Sequence, residues 1–253
     1  MTRTHGKALQ IAALAMFLAL LAACATPPSD PAARAEFERT NDPIEPFNRR
    51  MFALNLWVDD NVAKPVAIAY RDNVPKFTRD RFRDFYDNFS SPVTFINDVL
   101  QGESGRAAET ATRFWVNSVF GMAGFWDVAG QYGLRKHKED FGQTLAVWGV
   151  KEGPYLMIPF LGPSNVRDAT GKVVDAFSNP ISYALPAAGA YLEIVAGVVD
   201  KVDERAGLIE PMDELRRTSL DFYAAVRSLY RQNRESEISN GKIKKPPLPG
   251  EDE

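Results

Sequence analysis

The sequence predicts an all-α fold. Three features carry that expectation: prolines that head successive segments, apolar residues that recur on one side at about 100° per residue, and glycines where such segments would stop or kink. The first helix is set by Asp42-Pro43-Ile44-Glu45, which offers an N-cap, a first-position proline and a capping-box glutamate in consecutive order. Along it Phe47, Met51, Leu54 and Val58 share a narrow face while Phe52 and Leu56 lie nearly opposite, so this helix has two apolar sides. Lys64-Pro65, Val74-Pro75, Ser91-Pro92 and Glu210-Pro211 read as further starts, with Gly102, Gly121 and Gly171 as stops or kinks. Over residues 76–89, Phe82, Phe85, Tyr86 and Phe89 fall on one side, with Arg79, Asp80, Arg83, Asp84 and Asp87 around the rest. Farther on, Tyr191, Ile194, Val195, Val198, Val199 and Val202 form one wide stripe opposed by Glu193, Asp200, Lys201 and Glu204. Leu215, Phe222, Val226 and Leu229 repeat the pattern near the C-terminus.

Stripes of this kind fit two arrangements. In one, every stripe turns to a common core, as in an ordinary helical bundle. In the other, some stripes face lipid, as in helices that lie in a membrane interface with aromatics at headgroup depth. Periodicity alone does not choose between them. A spanning helix is not expected after the N-terminal run: residues 181–199 are apolar in sum but contain Pro186, Gly189 and Glu193.

The chain has one cysteine in 253 residues, so it can close no internal disulfide and build no thiolate metal site. What precedes that cysteine gives it a role. Arg3, His5 and Lys7 are followed by a mostly apolar run over residues 8–20, the order of a secretory signal peptide, and Leu21-Ala22-Ala23-Cys24 resembles the bacterial lipoprotein box. Residues 1–23 are therefore expected to be removed and Cys24 to be lipidated; a buried core cysteine and a spare secreted thiol are the plainer alternatives. Losing Arg3 and Lys7 leaves 28 basic against 33 acidic residues, a formal charge of −5 for the mature chain. No basic stripe collects phosphates, which speaks against nucleic acid as a partner. Residues 24–40 read as a lipidated start and flexible tether with a reach of roughly 20 Å, residues 41–235 as the folded domain, and residues 236–253 as a disordered tail.

Catalytic signatures are missing: no G-x-S-x-G, P-loop, G-x-G-x-x-G or H-E-x-x-H occurs. His137, the only histidine after the signal, sits in the charged run RKHKED and reads as a solvated loop residue. Glu139 and Asp140 are adjacent in the same run, and nothing marks either as a tuned acid or base. A lipoprotein-anchored enzyme such as a lipid hydrolase is the second hypothesis.

Five stretches in fixed order carry a resemblance: NDPIEPFNRRMFALN (41–55), FYDNFSSPVTFINDVLQG (85–102), RFWVNSVFGMAGFWDVA (113–129), EDFGQTLAVWGVKEGPYLMIPFLGPSNVRD (139–168) and the weaker FSNPISY (177–183). Together they resemble the MlaA (VacJ) family of outer-membrane lipoproteins. The resemblance implies an all-helical, ring-like body embedded in the inner leaflet of the outer membrane around an amphipathic channel. It implies that mislocalised phospholipids leave the outer leaflet and pass to the soluble periplasmic carrier MlaC, that trimeric porins are partners, and that neither catalysis nor a cofactor is involved. Within that frame residues 139–168 are expected to form a hairpin at the channel. Seven glycines and prolines break the helical pattern there, yet the segment is too apolar for a solvated loop, and irregular backbone at membrane depth needs protein or a watery cavity beside it. Gln143, Trp148, Tyr155, Arg167 and Asp168 are its candidate channel-lining or lipid-contacting residues, with Gln143, Arg167 and Asp168 expected at headgroups; a structural Arg167–Asp168 ion pair is the plainer alternative.

Overall fold

The computed structural model describes residues 30, 34, 40–184 and 189–243. The expected lipidation site Cys24, the signal run and the last ten residues lie outside them. Helices carry the described chain, and its one sheet has two strands. Helix α1 (Glu45–Val58) runs through a π-helical turn (Asp59–Ala63) into α2 (Lys64–Asn73), so Pro65 heads a helix without the chain leaving its helical path. The start of α1 differs from the capping box expected of it. Its N-cap is Ile44, with no side-chain cap bond, and the Asp42 carboxylate turns inward to accept from Asn48 and Arg227 at 2.7 and 2.6 Å. Glu45 is likewise drawn off, to Arg49 at 2.7 Å.

Helix α3 (Lys76–Leu100) continues through Pro92 instead of starting there. Proline supplies no N–H to the preceding turn; here the hydroxyls of Ser90 and Ser91 donate to the Tyr86 and Asp87 carbonyls at 2.9 and 2.7 Å, adapting the turn ahead of it. Gly102, with φ at +78°, reverses the chain into α4 (Ser104–Val119), which packs back along α3. Of the aromatic side of α3, Phe89 is buried and Phe85 stacks on Phe125 at 4.8 Å, whereas Phe82 is 44% exposed.

A short helix α5 (Val128–Gln131) and then α6 (Phe141–Val147) follow, each capped by an aspartate, Asp127 and Asp140. Strands β1 (Tyr155–Ile158) and β2 (Gly162–Asn165) pair antiparallel, Tyr155 opposite Asn165 and Ile158 opposite Gly162, forming the hairpin within 139–168. Two asparagines of α1 stand in for a further strand beside β1. Asn48 donates to the Tyr155 carbonyl at 3.0 Å and accepts the Met157 N–H at 2.9 Å; Asn55, two turns on, does the same with Ile158 and Phe160 at 3.0 and 2.8 Å. These bonds satisfy an edge that would otherwise be open.

Helix α7 (Val166–Asp175) crosses α6 closely. Gly171 stands inside α7, not at its end, because a Cβ there would lie 2.3 Å from the Gly142 nitrogen. After α8 (Pro180–Ala184) come α9 (Gly189–Gly207), α10 (Ile209–Thr218) and α11 (Phe222–Ile238). Leu215 thus lies on α10 and Phe222, Val226 and Leu229 on α11, so the expected C-terminal stripe is two helices, the second reaching three residues past 235.

Packing is inverted relative to a water-soluble bundle. Among the described residues nineteen polar or charged side chains are buried against eleven apolar ones, and the apolar clusters are small: Ala67, Ala206 and Ile209 in one, Tyr155, Met157 and Tyr223 in another. Large apolar side chains face outward instead, with Trp115, Phe177, Tyr191, Ile194 and Val198 59–71% exposed. No helix among the described residues is long and apolar enough to cross a membrane.

Gly171→Ala should lower unfolding stability by about 1–3 kcal/mol by forcing α6 and α7 apart. Gly207→Ala, whose Cβ meets open space, should leave it unchanged or raise it by up to about 1 kcal/mol. Denaturant titration in detergent compares the two, and equal effects would remove the close crossing as the reason for Gly171.

Candidate functional site

Helix α11 presents Arg227, Arg231 and Arg234 on one side, four and three residues apart. Arg227 donates to Asp42, Arg231 to Glu152 at 2.9 Å, and Arg234 to Asp140 at 2.6 and 2.7 Å and to Asp168 at 2.9 Å. One helix face therefore gathers the N-terminal segment, the entry to α6, the segment ahead of β1 and the first turn of α7. Asp168 is the most heavily bonded of these groups. It accepts from Tyr230 at 2.5 Å, from Asn165 Nδ2 at 2.8 Å and from Arg167 Nε at 3.0 Å, while its own N–H is capped by Asn165 Oδ1. Burial works to raise its pKa, but Arg234, Tyr230 and Arg167 outweigh it and hold the carboxyl below the ordinary range; Asp140 is lowered in the same way by Arg234.

Gln143, Arg167 and Asp168 come together around this network, and all three are buried. Their polar groups are engaged by protein: the Gln143 amide, oriented to satisfy its neighbours, donates to Glu139 Oε2 at 3.0 Å and to the Glu237 carbonyl at 3.2 Å, and Arg167 and Asp168 form the 3.0 Å ion pair. Tyr155 lies apart, buried between Tyr223 and Tyr230 at ring separations of 6.2 and 6.1 Å, and burial pushes its pKa up. Trp148 is the exposed member, its indole N–H donating to the Leu100 carbonyl at 2.9 Å.

A concave site missed at the level of sequence lies between α3 and α4. Asp84, Asp87, Asn88 and Ser91 project from successive turns of α3 towards Thr110, Arg113 and Asn117 of α4, and the 136–138 segment closes the side. The result is a polar chamber of about 30 Å³. Its charges nearly balance: Lys136 and Lys138 pair with Asp87, Arg113 with Asp127 at 2.8 Å, and Asp84 with Arg81 at 2.9 Å. Ser91 and Thr110 also line an apolar groove of about 390 Å³, walled by Pro92, Phe95, Phe114, Trp115 and Ile181. A polar pocket and an apolar trough thus share a wall, which is the geometry an amphiphile requires. The signal was present in the polar spacing 84, 87, 88, 91 opposite 110, 113, 117, but only the pairing of α3 with α4 makes it a site.

His137 belongs to this chamber and is not the solvated residue expected of it. Its Nε2 lies 3.1 Å from both Asp98 oxygens and 3.2 Å from the Thr110 hydroxyl, which itself donates to Asp98 at 2.7 Å. A nucleophile relay needs hydroxyl and carboxylate on opposite ring nitrogens; here one nitrogen faces both, so the group is a structural triangle. Glu139 is buried too, held by Arg106 and Gln101 at 2.5 and 2.9 Å, and burial pushes its pKa up.

Comparison with known proteins bears on this arrangement. A sequence model of the MlaA lipoprotein family matches residues 40–237. The intermembrane phospholipid transport system lipoprotein MlaA of Escherichia coli strain K12 is 35% identical over 240 residues, covering 93% of this chain and 91% of that protein. An uncharacterised protein of Rickettsia bellii is 34% identical over 82% of this chain and 81% of its own length. A solved structure described as the structural basis for maintenance of bacterial outer membrane lipid asymmetry superposes with a TM-score of 0.70 at 35% identity, over 78% of this chain and 98% of that one.

Arg234→Met should cost about 3 kcal/mol or more at neutral pH, because it leaves Asp168 buried beside Asp140 without its main counter-charge. The Asp140 and Asp168 contributions are complete above the unfolded carboxyl value near 4 and are lost as pH falls through the depressed folded values. The stability gap between wild type and Arg234→Met should therefore shrink as pH is lowered below about 4. A gap that stays constant in denaturant titrations down to acid pH would refute the assignment.

Proposed function

The chain belongs to the MlaA lipoprotein family, and from that premise we propose that it is an outer-membrane lipoprotein of intermembrane phospholipid transport. The observation that carries this reading is the inverted packing: polar side chains inside, large apolar ones outside, and a polar chamber that shares a wall with an apolar groove. An apolar exterior is stable in hydrocarbon and costly in water at about 25 cal/mol per Å². A headgroup crossing a leaflet needs the reverse, a polar route past the acyl chains, because an unpaired polar or charged group costs several kcal/mol or more in an apolar medium. One body with both properties moves a phospholipid without exposing either of its ends to the wrong solvent.

In the full proposal, residues 1–23 are removed, Cys24 is lipidated, residues 24–40 tether the body, and the body lies in the periplasmic leaflet as a ring around an amphipathic channel. Phospholipids misplaced in the outer leaflet enter that channel and pass to the periplasmic carrier MlaC, with trimeric porins as outer-membrane partners. Acyl chains on Cys24 add about 0.8 kcal/mol of anchoring per buried CH₂, and the exposed stripe Tyr191, Ile194 and Val198 adds lipid contact. The hairpin in residues 139–168 flanks the route. There the buried Gln143, Arg167 and Asp168 hold the wall in register, and Trp148 and the exposed Phe160 and Leu161 at the hairpin tip meet lipid.

Two outcomes test this. Cys24→Ala should leave uncleaved or mislocalised precursor and raise outer-leaflet phospholipid to the level of a deletion strain; a mature, unacylated protein that preserves asymmetry would overturn the anchor. Ile194→Asp and Val198→Asp should each weaken membrane association at a cost of up to about 3 kcal/mol. A soluble form lacking residues 1–24 that is monodisperse in water without detergent would overturn the embedded body.

A further inference from the structure

The chamber between α3 and α4 holds a buried acceptor that takes no hydrogen bond among the described residues, Asn88 Oδ1, beside the Asp87 carboxylate. Asn88 is only 6% exposed and fixed in place, its Nδ2 donating to Ser118 Oγ at 3.0 Å. Gly124, at a φ of +99°, lies so close that a Cβ there would stand 2.5 Å from the Asn88 Cβ. Asp87 pairs with Lys136 through Oδ2, and Lys138 Nζ meets its Oδ1 at 3.2 Å. A buried acceptor left unmet costs about 1–3 kcal/mol, so one held fixed in a cleft marks a place where a donor belongs.

Resting on the phospholipid reading, we propose that this chamber is a headgroup subsite selective for a primary ammonium. The ammonium sits at Asn88 and Asp87, the phosphate between Lys136 and Lys138 at the rim, and the acyl chains run into the groove at Phe95, Phe114 and Trp115. Three points of chemistry select this ligand. An ammonium brings three donors, enough to meet Asn88 Oδ1 and to replace a lysine at Asp87 as the lysines turn to the phosphate. The volume of about 30 Å³ takes a group the size of one or two waters, so a trimethylammonium does not fit and offers no donor. A glycerol headgroup supplies hydroxyl donors but no positive charge to set against Asp87. Lys136 and Lys138 are part-exposed, with side chains 41% and 61% accessible, as a rim contact to phosphate requires.

The test equilibrates the purified full-length lipoprotein in detergent with equimolar phosphatidylethanolamine, phosphatidylcholine and phosphatidylglycerol and weighs the co-purified lipids by mass spectrometry. Wild type should retain phosphatidylethanolamine over phosphatidylcholine by about tenfold, the worth of one hydrogen bond to a charged group. Asp87→Asn, nearly isosteric, should erase that preference, while Lys138→Gln should lower retention of all three lipids alike. Equal retention of the amine and choline lipids by wild type, or a preference that survives Asp87→Asn, overturns the subsite and leaves the transport reading standing. If Asp87→Asn does not fold, the wild-type competition decides alone. Retention of no phospholipid at all would overturn the transport reading, and the subsite with it.

Discussion

The structure depends on the arginine face of α11. With apolar clusters of only a few residues each, little hydrophobic burial is available to hold the N-terminal segment, α6 and the hairpin against one another. Arg227, Arg231 and Arg234 do it electrostatically, reaching groups far away in sequence: Asp42 from Arg227, Glu152 from Arg231, Asp140 and Asp168 from Arg234. Arginine suits this task because its planar fork satisfies two carboxylates at once and keeps its charge when buried. Such a network adds less net stability than its bond count suggests, since each charge is desolvated. What it supplies is a single arrangement, because a misplaced carboxylate would be left buried without a partner.

The same logic of substituting polar geometry for apolar bulk recurs along α1. Asn48 and Asn55 bond to β1 as a neighbouring strand would, which anchors the hairpin to a helix without a wide sheet. Gly142 and Gly171 let α6 and α7 approach to backbone contact, and that approach brings Asp140 and Asp168 to the one guanidinium of Arg234. The hairpin, the glycine crossing and the arginine are therefore one device.

Local signals were legible in the sequence where their causes are local. The starts at Pro43, Pro65 and Pro75, the turn at Gly102 and the apolar stripe of α9 follow from residues within a turn or two of one another, though the outward direction of that stripe does not. The exceptions have partners that no window contains. Asp42 looks like a helix cap until Arg227 claims it. Gly171 looks like a stop because its neighbour is Gly142, and His137 looks solvated because Asp98 and Thr110 lie on other helices. Of the candidate channel residues, the clustering of Gln143, Arg167 and Asp168 was legible in part, but their burial was not, because it follows from Arg234 and Tyr230 on the last helix.

Charge balance gives the chamber its remaining property. A site that passes a ligand on must bind it well enough to admit it and weakly enough to release it. A pocket lined only by lysine and arginine would hold a phosphate against release, and one lined only by aspartate would repel it. Asp84, Asp87 and Asp127 stand against Arg113, Lys136 and Lys138, so a headgroup entering the chamber exchanges existing ion pairs for new ones instead of adding attraction to an uncompensated field. In the proposed subsite, side chains already neutralised by one another would lose that pairing as the lipid gains it, and recover it when the lipid leaves. The apolar groove beside it is walled by Phe114 and Trp115, where an acyl chain leaving lipid would exchange hydrocarbon for hydrocarbon at small cost. On the proposed reading both halves of the site would bind by substitution, which suits a conduit better than a store.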